Sequence, residues 1–267
     1  ITVNTGKHFA IQNTNQTKIA NGDDAGYLQN ASAIGFIIPA NVSAHMQLEN
    51  ISIRGDAPVD IKPTASLTLI LGDGTKNRID SNSVYHAAIH CPTGSNLLID
   101  DSIRNLTSDG APIVPENGVV PYDCTLLNGT KVLKNDPLSK LESNNPGELY
   151  AFGSLAAAII GGNWHGNTTV KTDEAIGNIT FNGGVIRAYG INEDAIASND
   201  WRNHGASIGT GVCGSGSGLN EWITINGGRV VAYGSYHGAG IGGGWGSPSP
   251  NICINGGYVE SWGGAHS

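Results

Sequence analysis

In the C-terminal part of the chain, apolar residues fall at every second position over short runs and then meet an Asn-Gly-Gly stop. The clearest case is Ile223-Thr-Ile-Asn-Gly-Gly-Arg-Val-Val-Ala-Tyr-Gly234, where Ile223 and Ile225 alternate with polar neighbours and Val230 and Ala232 resume the alternation beyond the glycines. A period of two is that of an extended strand with one buried face, so the segment predicts two strands joined at a corner. Ile179 to Gly190 and Ile252 to Gly263 align with it without a gap. A second unit recurs between these copies, as Ala157-Ala-Ile-Ile-Gly-Gly162, Gly205-Ala-Ser-Ile-Gly-Thr210 and Gly238-Ala-Gly-Ile-Gly-Gly243.

Self-similarity of this kind marks a solenoid, in which one repeat cannot bury its apolar face alone and stacked repeats can. The fold expected is all-β: a single-stranded right-handed parallel β-helix of pectate-lyase-like architecture. Its inward ladders are Ile on Ile and Val on Val, and a column of Asn182, Asn226 and Asn255 runs beside the glycine corners. The whole of 1–267 reads as one such domain. Residues 1–108 form irregular coils, among them Leu48 to Ile53, Ala65 to Leu71, Ala87 to Cys91 and Asn96 to Asp100. Residues 109–148, with five prolines, form an excursion from the helix wall, and residues 149–267 form the regular Gly-rich coils. The pattern stops in mid-period at Gly264-Ala-His-Ser267, so the coils are expected to continue beyond 267 or to leave an open end that self-associates end to end.

Composition sharpens this. The chain has 39 glycines and 13% charged residues, which disfavours long amphipathic helices. A net charge of −8 opposes a nucleic-acid partner, which needs a basic footprint. No run approaches the roughly 20 apolar residues that span a bilayer, so membrane insertion is not expected. Ile1-Thr-Val-Asn4 reads as a processed N-terminus, consistent with an extracellular, secreted or cell-surface protein. Cys91, Cys124, Cys213 and Cys253 have no Cys-x-x-Cys spacing, which argues against a zinc site.

The passages Pro63 to Leu71, Tyr85 to Ile89, Gly238-Ala-Gly-Ile-Gly-Gly-Gly244 and Ile252-Cys-Ile-Asn-Gly-Gly257 resemble the Gly-Ile-Gly-Gly-Gly β-helix regions of large secreted proteins of gut anaerobic bacteria. The likeness covers most of residues 45–267. It implies a surface protein of carbohydrate-binding type, with an oligosaccharide or polysaccharide as partner, and leaves both binding and glycoside-hydrolase-like cleavage open. The Asn-Thr-Asp, Arg-x-Lys and Arg-x-Pro-x-Arg constellations of pectin-cleaving β-helices are absent from the sequence.

Registering the repeats exposes an outward aromatic stripe of Tyr189, Tyr233 and Trp262, suited to the apolar faces of sugar rings. The same register lines up His204, His237 and His266 as a histidine ladder, able to share protons or ligate a metal, although a structural role is favoured and no metal is assigned. Cleavage of a glycosidic bond needs two carboxylates. Their best local supply is the insertion at 191–202, with Glu193, Asp194 and Asp200 beside Trp201 as a further stacking platform, and the alternative there is a plain acidic surface loop. The pairs Asp23-Asp24 and Asp100-Asp101 could bind calcium if a turn brought both carboxylates together, and otherwise end strands. No other cofactor is implied.

Overall fold

The computed structural model describes residues 8–12, 35–72, 74–101, 124–125, 131–132, 146–153, 156–164, 175–190, 204–213 and 221–264. The alternation is realised as three short strands per turn, and the chain winds through six coils in which each turn visits the same three walls in the same order. The first wall holds Ser43–Glu49, Ser66–Leu71, Asn96–Asp100, Asn178–Phe181, Trp222–Ile225 and Asn251–Ile254, with His8–Gln12 paired onto its outer edge. The second wall holds Ser52–Gly55, Lys76–Ser81, Glu148–Gly153, Val185–Tyr189, Arg229–Tyr233 and Tyr258–Trp262. The third holds Phe36–Ile38, Val59–Ile61, Ile89–His90, Ile160–Gly161, Ile208–Gly209 and Ile241–Gly242. All pairings within these walls are parallel, and parallel crossovers take the right-handed sense as a rule. The fold is therefore the parallel β-helix expected from the repeats, and the described residues contain no helix.

Register turns each inward position into a column. In the first wall Ala44, Leu67, Leu97, Ile179 and Ile223 stack in one column, and Met46, Leu69, Ile99, Phe181 and Ile225 in the next. Every one of these side chains is buried. The columns of the second wall, Ile53–Ile79–Ala151–Ala188–Ala232 and Leu149–Ile186–Val230, are smaller, and Val59, Ile89, Ile160, Ile208 and Ile241 supply the third. Together they form one continuous core, in which burying each Ile or Leu is worth about 1.5–3 kcal/mol. In the sixth coil the first-wall columns reach Ile252 and Ile254, which are 41% and 56% exposed, so any further coil in register would bury them.

Between the first and second walls the Asn-Gly-Gly corner works as anticipated. Asn226 Nδ2 donates to Asn182 Oδ1 at 2.9 Å, and Asn255 Nδ2 donates to Asn226 Oδ1 at 2.9 Å. Gly228 has φ of 74°, a conformation that costs an L side chain, and its backbone passes so near Gly183 and Gly184 that a Cβ would collide. In the third coil the same corner is made by Asp100 and Asp101, with the Asp101 amide donating to Asp100 Oδ1 at 2.8 Å. Both carboxylates lie against Gly183, which has no side chain to displace them.

In the last three coils the third wall is only two residues wide because the chain turns back on itself there. The amides of Ala158, Ala206 and Ala239 donate to the carbonyls of Gly162, Thr210 and Gly243. The Gly161, Gly209 and Gly242 that make this reversal have φ near 140°. The turn-back brings Trp164, Val212, Cys213 and Trp245 against Val84, Ala156 and Ala157, giving a second, smaller apolar cluster outside the main core. Residues 102–147 stand in the sequence between the first-wall and second-wall strands of the third coil. Of these, Cys124–Thr125 and Lys131–Val132 pair antiparallel, and the chain returns through Gly147 to Glu148 in register with Lys76.

Replacing Ile225, which is fully buried between Phe181 and Ile254 in its column, with Asp should cost several kcal/mol, because an unpaired carboxylate would be desolvated in the stack. Thermal melting followed by circular dichroism checks this; a melting curve identical to that of the parent would contradict the inward assignment.

Candidate functional site

Alternation that sends Ala188 and Ala232 inward must send their neighbours outward, and the outer face of the second wall is where side chains suited to a ligand accumulate. Its first column is Lys76, Glu148, Val185, Arg229 and Tyr258; its second is Arg78, Tyr150, Arg187, Val231 and Glu260; its third is Arg54, Asp80, Phe152, Tyr189, Tyr233 and Trp262. The stripe of Tyr189, Tyr233 and Trp262 is therefore present, and Phe152 extends it by one coil. Ring centroids are 5.2 Å apart for Phe152 and Tyr189, 5.3 Å for Tyr189 and Tyr233, and 6.3 Å for Tyr233 and Trp262. The planes lie within 18°, 11° and 5° of parallel.

These separations exceed the contact distance of about 3.5–4.0 Å, so rings that touch are offset rather than eclipsed. Each ring then offers an edge and a strip of its face to solvent, not the whole face that a solitary ring would offer. Trp262 is the most open of the four at 56% exposed, and Tyr233 is 38% exposed. Phe152 escaped the sequence reading because its coil has no Asn-Gly-Gly corner. The signal was present in Leu149-Tyr-Ala-Phe-Gly153, which matches Ile186-Arg-Ala-Tyr-Gly190 position by position.

Charged groups are woven through the same face. The Arg78 guanidinium lies 4.2 Å from the centre of the Phe152 ring and 3.3 Å from Asp80 Oδ2. Glu148 accepts a hydrogen bond from the Tyr150 hydroxyl at 2.7 Å and stands 3.9 Å from Lys76 Nζ and 3.8 Å from Arg187 Nε. Burial, with the Glu148 carboxylate beside it, pushes the Tyr150 phenol up to about 12. At the far end Arg229 donates to Glu260 at 2.6 Å, and hydrogen bonds from Tyr258 and Arg229 hold Glu260 below its ordinary value.

The carboxylates on this face do not form a hydrolytic pair. Asp80 stands opposite Phe152, four residues along the wall from Glu148, roughly 13 Å at the strand rise. Glu260 is three coils from Glu148, roughly 14 Å. A retaining pair needs about 5–5.5 Å and an inverting pair about 6.5–9.5 Å. Glu193, Asp194, Asp200 and Trp201 lie outside the described residues.

The histidine register holds for its described members. His204 and His237 stack with centroids 4.4 Å apart at the corner from the second to the third wall, and His204 is buried beside Tyr236 and the edge of Trp245. His266 lies outside the described residues, as does Asp23-Asp24. Among the described residues, no group of three or more His, Cys, Asp and Glu is placed to hold a metal ion. Cys91 and Cys253 are free thiols, and burial pushes Cys91 up to about 12, which makes it inert.

Two polar groupings could not be seen in the sequence because their members are a full coil apart. At the corner from the second to the third wall, His86 Nδ1 lies 3.0 Å from Asp56 Oδ2 and 3.3 Å from Ser83 Oγ, next to Tyr85 stacked on Trp164. The hydrogen bond from Ser83, with His86 adding to it, holds the Asp56 carboxyl below its ordinary value. Asp56 and Ser83 meet the same ring nitrogen, so the imidazole cannot relay a proton from one to the other as a nucleophile's base does. On the third wall His90 Nδ1 lies 2.8 Å from Asp60 Oδ1, and Lys62 Nζ 2.6 Å from Asp60 Oδ2. Burial of Asp60 opposes its ionisation, but the hydrogen bonds from His90 and Lys62 outweigh that and keep its pKa below the ordinary 3.8.

Comparison of the chain with family models, with curated proteins and with solved structures finds no match.

A depressed Asp60 pKa contributes stability that is complete above the ordinary carboxylate range and is lost as pH falls through the folded-state value. Acid titration of the fold should show a loss of stability below about pH 4 that is smaller in Asp60→Asn. At neutral pH that variant should be less stable by about 1.5–3 kcal/mol, the worth of hydrogen bonds to a charged group. Parallel denaturant melts at pH 7 and pH 3 measure both quantities.

Proposed function

We propose that this protein is an extracellular β-helix that binds a glycan chain along the outer face of its second wall. The observation that carries the reading is the column Phe152–Tyr189–Tyr233–Trp262, four near-parallel rings repeated once per coil on a flat face that also offers hydroxyl, guanidinium and carboxylate groups. A linear polymer of similar units is matched by a surface of similar units. Offset rings offer apolar C–H and π surface to the faces of sugar rings, and the flanking polar groups hydrogen-bond to their hydroxyls. The resemblance of the Gly-Ile-Gly-Gly-Gly coils to secreted carbohydrate-binding β-helices points to the same class of ligand and the same location. Binding is favoured over cleavage because the carboxylates of this wall stand too far apart for either hydrolytic geometry.

A glycan array followed by titration of the best hit tests the reading. Tyr233→Ala and Trp262→Ala should each weaken binding by about three- to tenfold, the worth of roughly 0.5–1.5 kcal/mol of aromatic contact. Tyr233→Ala should also lower the melting temperature, because Tyr233 stacks on both of its neighbours, and Trp262→Ala should lower it less. A loss of stability with no change in binding would make the column purely structural. Release of shorter sugars from the hit would turn attention to Glu193, Asp194 and Asp200, and turnover that survives alanine at all three would remove that assignment.

A further inference from the structure

Charge is not spread evenly over this acidic solenoid. The outer face of the second wall carries five cationic side chains, Arg54, Lys76, Arg78, Arg187 and Arg229, against three anionic ones, Asp80, Glu148 and Glu260. The rest of the chain carries nine Lys and Arg against nineteen Asp and Glu. One wall of a protein with a net charge of −8 is thus locally positive, and it is the wall that bears the aromatic column.

The surplus is concentrated around Glu148, where one carboxylate serves two cations. Its hydrogen bond goes to the Tyr150 hydroxyl at 2.7 Å, while Lys76 Nζ and Arg187 Nε remain at 3.9 Å and 3.8 Å. A charge-assisted hydrogen bond to a carboxylate closes to about 2.7–2.9 Å, so neither cation is closed onto Glu148, and the Arg187 guanidinium instead lies 5.7 Å from the Tyr150 ring centre and hydrogen-bonds to Tyr189. Arg229 differs in this respect, being closed onto Glu260 at 2.6 Å. Arg187 also sits two residues from Tyr189 on one strand, the adjacent outward position, about 6.6 Å away along the wall. An anionic group reaching Arg187 would therefore lie one outward position from the ring column, while Lys76, in the first outward column with Glu148, stands roughly 13 Å along the wall from it.

We infer that the glycan bound by the second wall is an acidic polysaccharide, its carboxylate or sulfate groups received by Lys76 and Arg187 while its sugar rings lie on Phe152, Tyr189 and Tyr233. This rests on the glycan-binding reading above and narrows its substrate class. The acidic remainder of the surface repels such a polymer everywhere else, so the ligand is confined to one wall.

Affinity electrophoresis of the full chain tests it, using hyaluronan and chondroitin sulfate as acidic polymers, hydroxyethyl cellulose and glucomannan as neutral ones, and duplex DNA as a polyanion without pyranose rings. Retardation is expected in the acidic polysaccharides, at least tenfold stronger than in the neutral ones. It should be largely lost at about 1 M salt, where the screening length is about 3 Å. Retardation by hyaluronan, with or without chondroitin sulfate, identifies carboxylate recognition, retardation by chondroitin sulfate alone identifies sulfate recognition, and each supports the inference. Arg187→Gln and Lys76→Gln should each weaken that binding about three- to tenfold, and Arg187→Lys should retain most of it; Lys76 is exposed enough that its variant tests the point without disturbing the fold. Salt-insensitive binding of the neutral polymers at equal strength would overturn the acidic assignment and leave the glycan reading standing. Retardation by none of the polysaccharides would overturn both. Equal retardation by DNA, unaffected by Tyr233→Ala, would make the wall a general polyanion surface and overturn the inference.

Discussion

Everything in this molecule hangs on the parallel hydrogen-bond ladder between coils. It sets the rise from one turn to the next at about 4.8 Å and locks each residue over its counterpart, so a side chain is never placed singly. Whatever occupies one position becomes a column. Columns of Leu and Ile make the core, columns of Asn turn the corner, and columns of rings and guanidinium groups make the outer surface of the second wall. Backbone geometry thus converts a periodic sequence into periodic chemistry.

The same constraint determines what can be inferred without coordinates. The Asn-Gly-Gly copies at 182–184, 226–228 and 255–257 share a register, so the inward ladders, the Asn column, the stripe from Tyr189 to Trp262 and the pairing of His204 with His237 were all legible. The third coil was not, because residues 102–147 separate its first-wall strand from its second-wall strand and Asp100-Asp101 replaces the Asn-Gly corner. Phe152 and Glu148 stand just past that interruption, which is why both the fourth ring and the shared carboxylate went unread. Asp56 and His86, or Asp60 and His90, are brought together by winding alone, and nothing in the local pattern of either partner announces the other.

Ring stacking also illustrates a competition between stability and recognition. A column of aromatic residues at coil spacing contributes to the stack it rides on, each pair being worth about 0.5–1.5 kcal/mol, but the rings cover part of one another in doing so. The offset arrangement serves both: enough overlap to hold the column straight, enough uncovered surface for the sugar contacts proposed for it. Arg78 completes the lower end by lying over Phe152 while bonded to Asp80, so the first ring of the series is covered on the side that faces the second coil.

The third-wall reversal shortens that strand to two residues without shortening the path of the chain, which still travels from Ile208 to Ile241 in one circuit. Because the ladder bonds run along the solenoid axis, a pull between the two ends of the stack loads them one coil after another instead of all at once. When that circuit peels away it releases about 110 Å of extended polypeptide, while the coils still wound keep their columns intact. Under tension the molecule behaves as a spool, lengthening in coil-sized steps from its ends while the aromatic column survives on whatever remains wound.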